Sequence, residues 1–157
     1  MPGAHATIEV ARLVRAPIDR VWDTFTDLSV RAEVMSTVDS VEPLHGDGFE
    51  IGTTWRETRT LRDEAPVTEE LRVVELHPYH RCVISARGEG GDYRIAYDFT
   101  PRDGHTRVHC RFSTAPPQRL AERVIAVFFG GMVTRVIEGA LRQDLADLST
   151  AIEAAAA

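Results

Sequence analysis

The last third of the chain carries one continuous helical pattern, and this feature constrains the fold more than any other. After Pro116-Pro117, apolar or small residues recur every three or four positions almost to the C-terminus. This is the spacing of a helix that buries one face along its whole length. Gly130-Gly131 inside the pattern indicates a kink or a close approach to another backbone. The stripe consists of Val124, Val127, Gly131, Thr134, Ile137, Leu141, Leu145, Leu148 and Ile152.

The chain before this helix mostly alternates with a period of two, which is typical of strands. Residues 7–15 predict a first strand, and Pro17 then opens a short amphipathic helix. A second short helix is predicted from residue 29 to about residue 36, with Ser29 as its N-cap and with Val30 and Val34 facing inward. Six further strands are predicted at residues 38–44, 52–62, 67–76, 81–87, 93–100 and 106–114.

Turn signals between the last strands indicate how the sheet is connected. Gly90-Gly91 and Asp103-Gly104 are hairpin signals, and consecutive hairpins make an antiparallel sheet. One helix cannot cover both faces of a seven-stranded sheet, so the sheet must curl around it. The sequence therefore predicts a single α+β domain over residues 1–157. A curved antiparallel sheet wraps the long C-terminal helix, two short helices close one end, and a pocket lies between sheet and helix.

Composition argues against several classes of function. The formal net charge of -6 opposes binding to nucleic acid or to an anionic membrane surface. All 18 basic residues are arginines, so no lysine is present to form a Schiff base or to complete a P-loop. The two cysteines and six histidines lack the spacing of metal ligands. We therefore expect neither a metal site nor a cofactor.

The sequence also predicts a location and a partner. Residues 1–17 carry charges and no apolar core, so no signal peptide is predicted. The longest apolar run, residues 124–133, has ten residues and is too short to span a bilayer. We expect a cytoplasmic monomer or homodimer whose partner is a hydrophobic small molecule. Cys82 and Cys110 lie in strand patterns, where a cysteine is usually a small buried hydrophobe.

Four segments together resemble the START-like, or SRPBCC, superfamily, and most closely its polyketide cyclase/dehydrase branch. They are residues 14–22 (VRAPIDRVW), 52–57 (GTTWRE), 74–81 (VELHPYHR) and 104–108 (GHTRV). The resemblance implies a helix-grip fold with an internal cavity for lipids, polyketides, sterols or other apolar ligands. Members of the superfamily include aromatase/cyclases, hydrolases, passive carriers, stress proteins and co-chaperone-like modules, so the fold alone leaves the activity open.

Four polar residues are the candidates for catalysis. Tyr93 and Tyr97 share one face of a predicted strand, and their hydroxyl groups favour a pocket with polar occupants over a dry core. Glu57 and Arg59 share the parity of Trp55, so they face inward if Trp55 does. An inward carboxylate could act as an acid or base, and the arginine could stabilise an enolate or a carboxylate. The alternatives are core packing for the tyrosines and a Glu–Arg pair at the mouth or outer face of the sheet.

Several apolar residues and one arginine are the candidates for ligand contact, with ordinary core packing as the alternative. Flexible methionines and aromatic rings suit an adaptable apolar pocket. The candidates are Val34, Met35, Trp55, Phe99, Phe112, Phe128, Met132 and Arg135.

The inward parity of the fourth strand stays open, because Leu71 and Val73 compete with Val74 and Leu76. Polyketide aromatase/cyclases, which the chain resembles, use an inward arginine on this strand. Val74 stands nearest that place, and Arg72 lies two residues earlier. The lack of an arginine at that place counts against the chemistry of the aromatase/cyclases.

Three functions remain after the sequence is read. The first is a protein that binds a hydrophobic or aromatic small molecule and acts on it as a cofactor-independent polyketide cyclase or dehydratase. The second is a non-catalytic carrier, sensor or sequestering protein, and the third is a protein-interaction module. An enzyme needs polar groups that converge inside the cavity, whereas an interaction module needs an exposed apolar patch.

Overall fold

The computed structural model describes residues 7–62, 64–88, 92–114 and 120–156, with side chains in the last stretch from residue 134 to residue 155. The described residues form three helices and one seven-stranded sheet. In chain order the elements are β1 (Thr7–Val14), α1 (Ile18–Thr26), α2 (Arg31–Val34), β2 (Val38–His45), β3 (Thr54–Arg59), β4 (Val67–His77), β5 (Arg81–Gly88), β6 (Tyr93–Arg102), β7 (His105–Thr114) and α3 (Leu120–Ala156).

The strands lie in the order β1-β7-β6-β5-β4-β3-β2, and each neighbouring pair is antiparallel. The helix α3 packs against β1, α1 and α2. This confirms the predicted α+β helix-grip fold, with two short helices after the first strand and a long helix at the end. The Asp103-Gly104 hairpin is also confirmed, since Asp103 (φ 50°) and Gly104 (φ 81°) both have the positive φ of a type I′ turn. Gly90-Gly91 lies outside the described residues.

The inner face of β6 and β7 follows the predicted parity. Ile95, Tyr97 and Phe99 are buried, and the register sets them opposite Phe112, Cys110 and Val108 in turn. The inner face is therefore a continuous apolar wall across these two strands. Cys82 and Cys110 are buried, free thiols, as predicted, and burial raises the pKa of each to about 12.

A β-bulge explains why the fourth strand showed two competing parities. The register between β4 and β5 shifts between Val73 and Glu75. Before the shift Val73 pairs with the buried Ile84, and after it Leu76 pairs with the buried Cys82. One extra residue at Val74 thus lets both halves of the strand direct apolar side chains inward.

The helix α2 differs from its prediction. It is a single turn, Arg31–Val34, without a side-chain N-cap, so the expected capping role of Ser29 is wrong. The Ser29 hydroxyl and backbone N–H both donate to the Asp27 carboxylate instead, at 2.5 and 3.0 Å. Val30 and Val34 are half-buried, and the buried residue of α2 is Arg31.

The C-terminal half of α3 packs closely against the rest of the domain. Its predicted stripe is confirmed from Leu141 through Leu145 and Leu148 to Ile152, all of which are buried. The earlier members Val124, Val127 and Gly131 lie outside the described side chains. The C-terminal half of α3 is therefore part of the hydrophobic core.

Truncating Leu148 to alanine is expected to destabilise the fold by about 2–5 kcal/mol, because its side chain is 0% exposed and its removal leaves a cavity. Val136→Ala is the control, since Val136 is 39% exposed on the same helix and should change stability by less than about 0.5 kcal/mol. Urea unfolding followed by circular dichroism measures both. Equal, small losses in the two variants would contradict the packing of α3 described above.

Candidate functional site

Two arginines and two carboxylates form a buried network that we call the inner charge cluster: Arg31, Glu57, Arg59 and Asp144. The Glu57 carboxylate accepts hydrogen bonds from Arg31 Nε at 2.5 Å and from Arg59 Nε at 2.5 Å. Arg59 also donates to Asp144 Oδ2 at 2.8 Å. The cluster therefore joins α2, β3 and α3 through charge-assisted hydrogen bonds.

Two neutral side chains complete the hydrogen bonding of the cluster. The Trp55 indole N–H donates to Glu57 Oε2 at 3.0 Å. The Thr37 hydroxyl donates to Asp144 Oδ1 at 2.7 Å and accepts from Arg59 at 2.8 Å. The Arg31 guanidinium also lies 5.8 Å from the Trp55 ring centre, a distance at which cation–π attraction operates.

Glu57 is held as a carboxylate despite its complete burial. Burial alone opposes ionisation, but Arg31 and Arg59 outweigh it, and the pKa of Glu57 falls to about 2. Burial likewise opposes the charge of Arg59, but Asp144 and Glu57 outweigh it and raise the pKa of Arg59. At neutral pH Glu57 is thus a fixed anion that orients two guanidinium groups.

A second carboxylate lies beside the cluster on the inner face. Glu69 of β4 is directly opposite Glu57 of β3 in the sheet register. Its Oε2 accepts a hydrogen bond from the Tyr93 hydroxyl, and the Tyr93 ring lies 4.8 Å from that of Phe112. Burial raises the pKa of Glu69, while Tyr93 and Arg59 act to lower it. Burial and the Glu69 charge likewise raise the pKa of Tyr93 well above its ordinary value.

The inner face consequently divides into two halves. At the α1 end, aromatic rings pack on one another, with Phe25 4.6 Å from Tyr97, 5.3 Å from Phe99 and 6.2 Å from Phe49. At the other end lie the polar groups of β3, β4 and β6. We call these the aromatic half and the polar half of the inner face, and the polar half comprises Glu57, Arg59, Glu69, Tyr93 and the neighbouring Phe112.

The residues proposed from the sequence fall into both halves. The four catalytic candidates all lie on the inner face, but Tyr97 is buried in the aromatic half while Glu57, Arg59 and Tyr93 belong to the polar half. Trp55, Phe99, Phe112 and Met35 are buried, and Val34 is half-buried against them. Arg135 is exposed on α3, so we leave it out of the site proposed below. The side chains of Phe128 and Met132 lie outside the described part of the chain.

Three polar residues of this region were not predicted. Glu69 has the same parity as Leu71 and Val73, so a correct parity for β4 would have indicated it. Asp144 lies between Leu141 and Leu148 on the buried stripe of α3, where a charged residue is unusual. Arg31 had no comparable signal, because a single-turn helix is too short to define a face.

An open groove of about 570 Å³ lies outside the sheet–helix interior. It separates the end of α1 and the following loop, including Asp23 and Asp27, from the β2–β3 hairpin, including His45 and Asp47. Its described lining comes mostly from loops and turns and carries carboxylates and hydroxyl groups, unlike the aromatic wall of the inner face. We therefore place the candidate site in the interior.

A family model described as polyketide cyclase / dehydrase and lipid transport matches residues 5–153 of this chain. The chain belongs to this family. No curated protein matches the sequence closely enough to be a relative.

Solved structures of similar fold agree with the family assignment. TTHA0849 from Thermus thermophilus is 18% identical over 97% of this chain and 100% of its own, with a TM-score of 0.77. The Zhui aromatase/cyclase from a Streptomyces species is 18% identical over 95% of this chain and 94% of its own, with a TM-score of 0.77. The di-domain ARO/CYC protein BexL is 18% identical over 95% of this chain and 50% of its own, with a TM-score of 0.76. At such identity the likeness concerns the fold.

This member of the polyketide cyclase/dehydrase family has its interior arginines on α2 and β3. Arg72 of β4 is exposed on the outer face of the sheet, opposite Thr54 and Ser85. Arg31 of α2 and Arg59 of β3 bring guanidinium groups into the interior instead. None of the helices in the described ranges is long and apolar enough to cross a membrane.

Proposed function

We propose that the protein binds a hydrophobic or aromatic small molecule, polyketide-like or lipid-like, between the polar half of the sheet and α3. We further propose that it acts on this ligand without a cofactor, as a cyclase or dehydratase. The observation that carries the proposal is the convergence of Glu57, Arg59, Glu69 and Tyr93 on one end of an otherwise apolar inner wall.

The energetics of the inner charge cluster support a functional role for it. Burying two arginines and two carboxylates costs desolvation energy that their mutual attraction only roughly repays. A core of apolar side chains would fill the same volume with no such penalty. Perturbed ionisable groups that gather inside a ligand-binding fold are typical of a site that positions or stabilises charge.

The proposed roles of the catalytic candidates follow from their contacts. Glu57 fixes the orientation of Arg59, and Arg59 supplies a positive charge beside Glu69 and Tyr93. Such a charge would stabilise an enolate or carbonyl oxygen of a bound ligand. Tyr93 supplies a hydroxyl in the polar half, while Tyr97 contributes to the wall of the aromatic half.

A non-catalytic carrier is the second candidate, and one observation favours it. The pKa of Glu57 is about 2, so its carboxylate stays ionised at neutral pH. Its two oxygens are occupied by Arg31, Trp55 and Arg59. The carboxylate first proposed as an acid or base therefore cannot exchange a proton near neutral pH. A carrier would need only the apolar wall and a fixed set of polar contacts.

Native mass spectrometry of freshly purified protein tests the binding proposal, with denatured protein as the mass reference. We expect a non-covalent adduct of a few hundred daltons, or, for protein purified without one, saturable binding of at least one compound from a panel of polyketides, sterols and fatty acids. The mass of the extracted adduct then identifies the ligand class. Bare protein that also binds no compound of the panel would contradict the proposal and favour a protein-interaction module.

A further inference from the structure

The Glu69 side chain reaches its partner by crossing a neighbouring strand at a glycine. Glu69 of β4 pairs with Gly88 of β5, yet its carboxylate accepts the hydroxyl proton of Tyr93 on β6, one strand further on. A Cβ atom at Gly88 would lie 2.8 Å from Glu69 Cγ, closer than atoms in proteins approach. The contact between Glu69 and Tyr93 therefore depends on the missing side chain at residue 88.

The backbone at Gly88 gives no other reason for a glycine. Its φ is outside the left-handed range, in contrast to Gly46, Gly48, Gly52 and Gly104. An alanine could adopt the same backbone without strain. Gly88 therefore leaves room for the Glu69 side chain to cross the inner face.

From this geometry we infer that Glu69, held in place by Tyr93, is the acid–base residue of the proposed dehydratase reaction, in which a β-hydroxy carbonyl compound loses water. The inference rests on the proposed function and extends it by naming the group that carries the proton. Glu69 Oε2 is engaged by Tyr93, and from the described residues Oε1 accepts no hydrogen bond. Oε1 is therefore the oxygen assigned to the substrate.

The surroundings of Glu69 suit proton exchange, unlike those of Glu57. Burial raises the pKa of Glu69, which makes its carboxylate a stronger base than an exposed one. Glu57 holds its charge with two arginines and has no free oxygen. Arg59 acts on both carboxylates, and its positive charge is placed to stabilise the carbonyl oxygen when the neighbouring carbon loses its proton.

The proposed elimination uses one carboxylate for both proton transfers. Glu69 Oε1 takes the proton from the carbon next to the carbonyl group, and the electron pair of that C–H bond forms the C=C bond. The C–O bond to the β-hydroxyl group breaks, and the hydroxyl leaves as water with the proton returned by Glu69. The products are an α,β-unsaturated carbonyl compound and water, with no net proton and no redox change.

The test uses 4-hydroxy-4-phenylbutan-2-one, an aromatic β-hydroxy ketone whose dehydration product absorbs in the near ultraviolet. Binding is measured by calorimetry and turnover by absorbance, for the wild type and four variants. We expect Glu69→Gln to bind the probe but to lose at least about 100-fold in turnover. Tyr93→Phe and Gly88→Ala should lower turnover less than Glu69→Gln does and should move the acid limb of the pH profile to higher pH, because the Tyr93 hydrogen bond lowers the pKa of Glu69.

Gly139→Ala is the matched control for Gly88→Ala, since a Cβ there meets nothing within 4 Å, and it should leave the pH profile unchanged. Circular dichroism checks that each variant is folded.

If the wild type binds the probe but does not dehydrate it, or if Glu69→Gln dehydrates it equally well, the assignment of Glu69 is wrong while the binding proposal stands. If the probe and the panel of polyketides, sterols and fatty acids all fail to bind, the proposed function fails and this inference with it. If neither Tyr93→Phe nor Gly88→Ala shifts the acid limb of the pH profile, Tyr93 does not position Glu69.

Discussion

Replacement of Glu57 by glutamine is expected to destabilise the protein by roughly 3–5 kcal/mol at neutral pH, which is the usual cost of breaking a buried ion pair from one side. The side chain is 0% exposed, and its carboxylate is shared by Arg31 and Arg59. Glutamine has nearly the same volume but no charge. Both guanidinium groups would then stay buried with Asp144 as the remaining anion of the cluster.

Urea unfolding of the wild type and of Glu57→Gln measures this effect. Glu42→Gln is the matched control, because Glu42 pairs with Arg56 at the surface at a similar distance of 2.9 Å. An exposed pair of this kind contributes less than about 1 kcal/mol. A loss in Glu57→Gln no larger than in Glu42→Gln would mean that the inner charge cluster does not hold α2, β3 and α3 together.

Acidification is expected to remove roughly 3 kcal/mol of stability through Glu57 alone. Folding lowers the pKa of Glu57 from 4.5 to about 2, and each unit of difference corresponds to about 1.4 kcal/mol. Because the folded-state pKa is the lower one, this stabilisation is fully present above pH 4.5 and is lost as the pH falls towards 2. The lowered pKa of Asp147 acts in the same direction. Glu69 acts in the opposite direction, because its raised pKa favours the protonated form in the folded protein.

The free energy of unfolding measured between about pH 7 and pH 3 tests this dependence. We expect a steep fall below about pH 4.5 in the wild type and in Glu42→Gln, and a much shallower one in Glu57→Gln, which lacks the titrating group. Parallel curves for wild type and Glu57→Gln would show that Glu57 does not have the strongly lowered pKa on which its role as a fixed anion depends.

The architecture could be predicted because it follows from local patterns that the chain repeats many times. Alternation over six consecutive segments predicted the strands, and the stripe from Leu141 to Ile152 predicted the buried face of α3. Asp103-Gly104 predicted its turn because few other residue pairs adopt positive φ at both positions. Where the prediction was wrong, at Ser29, a neighbouring aspartate competed for the same hydroxyl group.

The site could be predicted only in part, for a reason that the β4 strand illustrates. Glu57, Arg59 and Tyr93 could be proposed because each shares parity with large apolar residues on its own strand. Glu69 could not, since the bulge between Val73 and Glu75 hides the parity of β4 in the sequence. Whether an inward carboxylate is a base or a fixed anion depends in part on partners from other elements, such as Arg31 of α2, which is 26 residues from Glu57 in the chain.

The sequence by itself determined the family, the order of the strands and helices and the exclusion of lysine chemistry, because each depends on residue type and local spacing. Only the tertiary structure decided the ionisation of the two inner carboxylates. Arg31 and Arg59, from α2 and β3, keep Glu57 charged, while burial raises the pKa of Glu69. A pKa reflects burial and nearby charge. In this protein both are set by side chains as far apart in sequence as Arg59 and Asp144, which are separated by 85 residues and yet lie within hydrogen-bonding distance in space.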